Sequence, residues 1–176
     1  PIIEKGFVSI RNRQITAIGK KTRESRFLRA AETISAVGKI ALPGLVNCHT
    51  HVPMTLFRGT AEDEPLHDWL RKTIWPFEAK LRPNDVYDGA LLGCLEMIKS
   101  GTTCFADMYF HEDKVAEAVK DAGLRAVLAE GIIEEGNIER GEKMLSNSIR
   151  MAKKLSSYAG GRVSFRLGPH AVYSCS

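Results

Sequence analysis

Residues 40–170 alternate between two kinds of pattern, and this alternation limits the possible folds more than any other feature. Apolar runs typical of buried strands lie near residues 40–48, 102–108, 125–133 and 163–167. Amphipathic stretches with helical spacing separate the later runs. The resulting order β-α-β-α-β-α-β favours right-handed crossovers and a parallel sheet. Either a small open sheet or half of an eight-stranded barrel fits this order.

Three helices are predicted between these strands, over residues 85–99, 112–122 and 139–158. Asn84 is a candidate N-cap for the first, and Gly101 is a candidate C-terminal stop. Residues 52–83 form a long connection. The last strand pattern is followed by no helix pattern that would cover it, so we expect a truncated fold.

A different pattern precedes residue 40. Two short β-type runs at residues 6–10 and 14–18 predict a hairpin, residues 20–33 predict a loop, and residues 33–37 predict another short strand. We therefore expect a first domain over residues 1–39 and a second over residues 40–176.

Composition excludes several classes of protein. The net charge of +4 is spread along the chain, which argues against nucleic-acid binding. No apolar run approaches the length of a membrane span, and no signal peptide pattern is present. The four cysteines lack CxxC spacing, which is typical of free thiols in a reducing compartment, so a cytoplasmic location is expected.

Two histidines, His49 and His51, stand at the end of the first apolar run. Side chains at i and i+2 of a strand point to the same face, so the two imidazoles lie side by side. Imidazole suits zinc and related metals, and zinc normally takes at least one more protein ligand. The pair therefore predicts half of a metal site.

Other polar residues follow the later strands: Asp107, His111, Glu130 and His170. Active sites of α/β folds lie at the carboxyl ends of parallel strands, so these residues are further site candidates. Each also has a structural interpretation. Asp107 and Glu130 suit loop or cap partners, His111 suits a solvated helix start, and His170 suits a loop at a strand end.

Several motifs resemble a known family. The segment LPGLVNCHTH at residues 42–51 resembles the metal-binding signature of the amidohydrolase superfamily. Within it, the chain is similar to the 5-methylthioadenosine/S-adenosylhomocysteine deaminases, a group that includes archaeal 5′-deoxyadenosine deaminases. The segments that carry this narrower resemblance are residues 51–59, 68–70, 75–78, 100–103, 107–110 and 168–170.

The resemblance implies a fold and a set of site residues. The fold would be α/β, the N-terminal part of a (β/α)8 TIM-like barrel with about four βα units, preceded by part of a small β-sandwich domain. His49 and His51 would bind one zinc ion, and Glu78 and His170 would contact the substrate. The remaining zinc ligands and the catalytic Glu would lie beyond residue 176, so no catalytic residue is assigned within this segment.

The implied activity is hydrolytic deamination of an adenosine derivative, with a nucleoside as substrate and a homo-oligomer as the expected assembly. This segment alone should be inactive. Some family members bind the carboxylate of S-adenosylhomocysteine with Arg residues after the third strand. Glu130 stands in that region here and would repel a carboxylate, with Arg140 as the candidate to compensate. Guanine or cytosine deaminases, chlorohydrolases and a non-catalytic metal- or partner-binding half-barrel are the alternatives.

Overall fold

The structure is a computed structural model that describes residues 2–22, 30–61 and 63–176. It divides into two units, Pro1–Leu42 and Pro43–Ser176, which are described separately. Part of the predicted loop at residues 20–33 lies outside the described residues. That the first unit belongs to a β-sandwich stays a prediction.

The first unit contains the predicted hairpin. Strand β1 (Gly6–Arg11) pairs antiparallel with β2 (Gln14–Lys20), and Arg11 lies opposite Gln14. The two loop residues, Asn12 and Arg13, both have positive φ angles, of 50° and 66°. Such two-residue loops match the right-handed twist of paired strands, so the turn fixes the hairpin register.

The predicted strand at residues 33–37 is wrong, because the structure assigns no strand there. Ile34 and Val37 are 80% and 90% exposed. A β-type pattern becomes a strand when another strand pairs with its backbone, and this segment is not paired in the structure.

The second unit is built on a parallel sheet of five strands. These are β3 (Leu45–Thr50), β4 (Thr102–Tyr109), β5 (Arg125–Ile132), β6 (Val163–Phe165) and β7 (Gly168–Pro169). The strand order is β3-β4-β5-β6, and β7 also pairs with β5. The predicted β-α alternation is thereby confirmed.

Strand β3 departs from the prediction of a run buried on both faces. It begins at Leu45 rather than at residue 40, and Leu45 and Val46 are about 60% exposed. The reason is its place at the edge of the described sheet, where it has a neighbouring strand on one side only.

The long connection between β3 and the next helix is mostly helical. It contains a 3-10 helix (Val52–Phe57), α1 (Leu66–Asp68), a π-helix (Trp69–Ile74) and α2 (Trp75–Glu78). These turns are too short to produce a helical period in the sequence, so the sequence predicted only a connection.

The remaining helices are α3 (Pro83–Ser100), α4 (Glu112–Ala122), α5 (Ile138–Lys154) and the single turn α6 (Tyr158–Gly161). The third predicted helix therefore ends four residues early. Among the described helices, none has the combined length and apolarity that crossing a bilayer requires.

The start of α3 corrects the predicted cap. Its N-cap is Arg82 rather than Asn84, and the Arg82 backbone N–H donates to the Asp85 carboxylate over 2.8 Å. Gly101 ends the helix with a φ of 86°, as its position predicted.

The core of the second unit lies between the sheet and the helices α3 and α4. Fully buried side chains come from both layers: Phe105 and Leu128 from the strands, and Val86, Val115 and Val119 from the helices. Because strand side chains alternate, residues 105, 107 and 109 of β4 share the helix-facing side. Residues 126, 128 and 130 of β5 do the same.

Helix α3 packs closely on the 3-10 helix that follows the histidine pair. A Cβ at Gly89 would lie 2.6 Å from the Pro53 carbonyl oxygen, and a Cβ at Gly93 would lie 2.4 Å from Val52 Cγ2. The two glycines therefore allow the contact that holds Val52 and Pro53 in place.

Replacing Gly89 by Ala should destabilise the protein, although Ala ordinarily favours a helix. The added methyl must displace backbone, and overpacking of this kind costs about 1–3 kcal/mol. Thermal unfolding should show a lower midpoint for Gly89→Ala, whereas the exposed neighbour Asp88→Ala should stay within about 0.5 kcal/mol of the parent. An unchanged midpoint for Gly89→Ala would contradict the close packing.

Candidate active site

The two histidines of the predicted metal pair lie together at the carboxyl end of β3. The rings of His49 and His51 are 5.1 Å apart between centroids and nearly perpendicular. Within the described ranges, no group of three or more His, Cys, Asp or Glu side chains is arranged to hold a metal ion. The pair therefore offers two donors, and a complete zinc site needs others.

The ring of His51 is held in an orientation that suits a metal ligand. Its Nδ1 lies 2.6 Å from the carbonyl oxygen of Met108 on the neighbouring strand. Since a carbonyl only accepts, Nδ1 must carry the proton and donate it. The neutral ring then presents the Nε2 lone pair, which is the arrangement usual for metal-binding histidines. On this chemistry the residues fit a zinc ion.

Asp107 holds the end of β3 through hydrogen bonds to the residues on either side of His51. It is 3% exposed, and its Oδ1 accepts a hydrogen bond from the Val52 backbone N–H over 2.7 Å. The Thr50 hydroxyl lies 2.5 Å from the same oxygen and 2.8 Å from the Ala106 carbonyl oxygen, and its single proton serves one of them at a time. The structural interpretation of Asp107 thus has direct support.

Glu112 is a buried acid that the sequence did not reveal. It is fully buried at the start of α4, next to Asp107. Both of its carboxyl oxygens and Asp107 Oδ2 are without a hydrogen-bond partner in the described part of the chain. Burial, and then the nearby Asp107 charge, raises the pKa of Glu112, and burial also raises the pKa of Asp107. A Glu in the first turn of a helix is usually solvated, so no sequence signal marked it.

Glu112 should make the protein less stable as pH rises. Because its folded pKa lies above its ordinary value, the native state binds more protons than the unfolded state between those values, and stability falls across that window. Glu112→Gln should remove much of this fall, since an amide stays neutral. Thermal midpoints at pH 5 and pH 8, measured with a chelator present, should show it.

The control for this prediction is Glu139→Gln, the same change at an exposed position, which should keep the parent pH dependence. A Glu112→Gln protein that loses stability toward pH 8 as steeply as the parent would show that Glu112 does not titrate in this way.

Glu78, a predicted substrate contact, lies near the histidine pair. It is half-buried on α2, and burial raises its pKa. The Tyr109 hydroxyl and the charge of His51 lower the pKa of Glu78. Glu78 therefore lies close to both groups. The rings of His51 and Tyr109 are 6.4 Å apart.

His170, the other predicted substrate contact, follows β7 and lines a cavity of about 100 Å³. Its Nδ1 lies 3.0 Å from Ser174 Oγ, and its ring meets Tyr173 edge-on at 5.9 Å. The helical connection forms the opposite wall through His67, Leu70, Arg71 and Trp75. Leu70 belongs to segment 68–70, one of the segments that carry the family resemblance, whereas no sequence motif marked Arg71 or the exposed His67 as a site residue.

The expected effects of Glu130 and Arg140 on a substrate carboxylate stay predictions. Glu130 is on the helix-facing side of β5, and its charged neighbours include His111, Asp113 and Arg150. Burial raises its pKa. Arg140 pairs with Glu135 at 3.4 Å. Glu135 is one of the residues that line the cavity with His170, so Arg140 lies next to the wall of that cavity.

Sequence and structure comparisons place this chain among known proteins. A model of the family described as "Amidohydrolase family" matches residues 40–176. The chain therefore belongs to the amidohydrolase family.

Two curated relatives within this family are named as deaminases. The chain is 52% identical over 174 residues to a protein of Methanosarcina mazei named 5'-deoxyadenosine deaminase, covering 99% of this chain and 39% of the relative. It is 49% identical over 170 residues to a 5-methylthioadenosine/S-adenosylhomocysteine deaminase of Desulforudis audaxviator, covering 97% and 39%. The chain spans about two fifths of the length of these relatives.

Solved structures show the same architecture. An adenosine deaminase of Xanthomonas campestris with bound zinc superposes with a TM-score of 0.81 at 31% identity, over 99% of this chain and 40% of that one. A guanine deaminase of C. acetobutylicum gives 0.81 at 18% identity, over 100% and 43%, and shows the fold alone. The expected α/β fold, the parallel sheet of an amidohydrolase barrel, is confirmed.

Proposed function

We propose that this chain is part of a zinc-dependent enzyme that hydrolyses an adenosine derivative to the inosine derivative and ammonia. The candidate substrates are 5′-deoxyadenosine, 5-methylthioadenosine and S-adenosylhomocysteine. The observation that carries this proposal is the His49–His51 pair at the carboxyl end of β3, in a chain about 50% identical to deaminases named for these nucleosides. Its other zinc ligands would come from the part that the longer relatives have and this chain lacks.

His49 and His51 would hold the ion. When bound, zinc lowers the pKa of water toward about 7 and so makes a nucleophile available at neutral pH for attack on C6 of adenine. The Met108 carbonyl keeps the proton of His51 on Nδ1, so that Nε2 stays available as a donor.

Glu78 and His170 would bind the nucleoside. A half-buried carboxylate such as Glu78 is suited to accept hydrogen bonds from the two neighbouring hydroxyls of a ribose. The ring of His170 offers one polar contact at a cavity whose other walls include the aromatic side chains of Trp75 and Tyr173. Hydrogen bonds fix the orientation of the substrate, and the aromatic walls favour a flat base or an apolar substituent.

A cytoplasmic homo-oligomer is the proposed context. The four cysteines are free in the structure, with Cys48 exposed and Cys94 buried, which suits a reducing compartment. Mass measurement of the purified full-length protein in solution tests the oligomeric part.

Loss of either histidine should remove zinc and activity together. In the full-length protein, His49→Ala and His51→Ala should each lower the zinc content well below one ion per chain and lower ammonia release by at least about 10³-fold. Elemental analysis and an ammonia assay measure the two effects. The exposed His111→Asn is the matched control and should retain both. A zinc-loaded, active His51→Ala protein would refute the assigned ligand.

Glu78→Gln should weaken nucleoside binding without removing zinc. Hydrogen bonds to a charged group contribute about 1.5–3 kcal/mol, so kcat/KM should fall about 10- to 100-fold. The exposed Glu142→Gln should leave kcat/KM unchanged. If Glu78→Gln retains the parent kcat/KM for every adenosine derivative, Glu78 does not contact the nucleoside.

A substrate panel separates the proposed activity from those of sister amidohydrolases. The full-length enzyme should release ammonia from 5′-deoxyadenosine, 5-methylthioadenosine or S-adenosylhomocysteine, and much more slowly from guanine or cytosine. Chloride release from a chlorotriazine is the third arm. A zinc-loaded protein that turns over none of the adenosine derivatives would refute the substrate assignment, and one that turns over nothing would favour a binding protein.

A further inference from the structure

Two consecutive residues of β4, Asp107 and Met108, hold His51 and both of its chain neighbours. The Thr50 hydroxyl and the Val52 N–H both point to Asp107 Oδ1, and His51 Nδ1 donates to the Met108 carbonyl. The pairing of β3 with β4 is irregular between Asn47 and Thr50 and resumes with Thr50 opposite Asp107, which brings these contacts together. His51 is therefore fixed at its backbone on both sides and at its ring.

The Asp107 carboxylate is buried on β4 together with the side chains of Phe105 and Tyr109. The charge of His51 acts on it across a short distance. Its direct hydrogen bonds, however, go to Thr50 and Val52, the two chain neighbours of His51. Asp107 is therefore suited to orient His51 through these neighbours.

The second oxygen of Asp107 lies beside the carboxyl group of Glu112. Both groups are buried, and a proton on either acid joins them by a hydrogen bond. Because water does not reach this place, turning Asp107 away from Thr50 and Val52 would leave the Val52 N–H and Oδ1 buried without partners, which is energetically costly.

We propose that Asp107 is a positioning residue for the metal pair, and that Glu112 supports it. By accepting from Val52 and Thr50, Asp107 Oδ1 fixes the direction in which the chain leaves β3, and with it the direction of the His51 ring. The inference rests on the proposed zinc function. Outer groups that orient a metal ligand typically change metal affinity by about 10- to 100-fold when removed.

The test uses the full-length protein and compares Asp107→Asn with Asp107→Ala. Asn keeps an oxygen that accepts from Val52 and Thr50, and its amide group donates toward Glu112. Its zinc affinity, measured by competition with a chelator, should stay within about threefold of the parent. Ala lacks the acceptor, and its zinc affinity should fall about 10- to 100-fold.

A second readout reports the geometry of the site. Cobalt(II) in place of zinc gives an absorption spectrum that depends on ligand arrangement, and it should change in Asp107→Ala and persist in Asp107→Asn. Val115→Ala is the matched control, because it removes buried volume from α4 and leaves Thr50, Val52 and Asp107 unchanged. It should lose stability and keep both the zinc affinity and the cobalt spectrum.

Thr50→Val keeps the test decisive if Asp107→Ala fails to fold. It removes the hydroxyl donor while leaving Val52, so zinc affinity should fall about threefold to tenfold. Parent-like zinc affinity in Thr50→Val or Asp107→Ala, or an equal loss in Val115→Ala, would overturn the inference while leaving the deaminase proposal intact. A parent protein that binds no zinc would overturn both.

Discussion

The parallel pairing of β3 with β4 is the constraint on which the rest of the site depends. It places Thr50 beside Asp107 and brings the Met108 carbonyl within reach of the His51 ring. Thr50 and Val52 contact the Asp107 carboxylate, and the His51 ring between them contacts the Met108 carbonyl. One strand pairing therefore fixes both the chain around His51 and the orientation of its ring.

The packing beyond the sheet extends this constraint. The chain turns after His51 into a 3-10 helix, and glycines at positions 89 and 93 let α3 approach it closely. The connection then runs through a π-helix, a conformation that is frequent at functional sites, to place Glu78 near His51 and Trp75 at the cavity with His170. The long connection thus forms one wall of the cavity that His170 lines.

A buried pair of acids next to the end of β3 has a thermodynamic cost. Asp107 and Glu112 are removed from water without enough hydrogen-bond partners to offset the loss, and burial raises the pKa of both. Side chains that destabilise a fold tend to be retained where they serve a functional site. Here an apolar side chain in place of Asp107 could not accept the hydrogen bonds of Thr50 and Val52. Glu130 adds a third acid on the same helix-facing side of the sheet.

The sequence alone determined the β-α order, three of the helices and the histidine pair, because hydrophobic period, glycine stops and i, i+2 spacing are local properties. It also suggested Glu78 and His170 through resemblance, and their roles stay predictions. Tertiary structure decided what local patterns do not contain. The segment at residues 33–37 is not a strand because no strand within the described ranges pairs with it, and Glu112 is buried because Asp107 and the sheet lie over it. Glu130 faces the helices because alternation along β5 puts it on the side of Leu128.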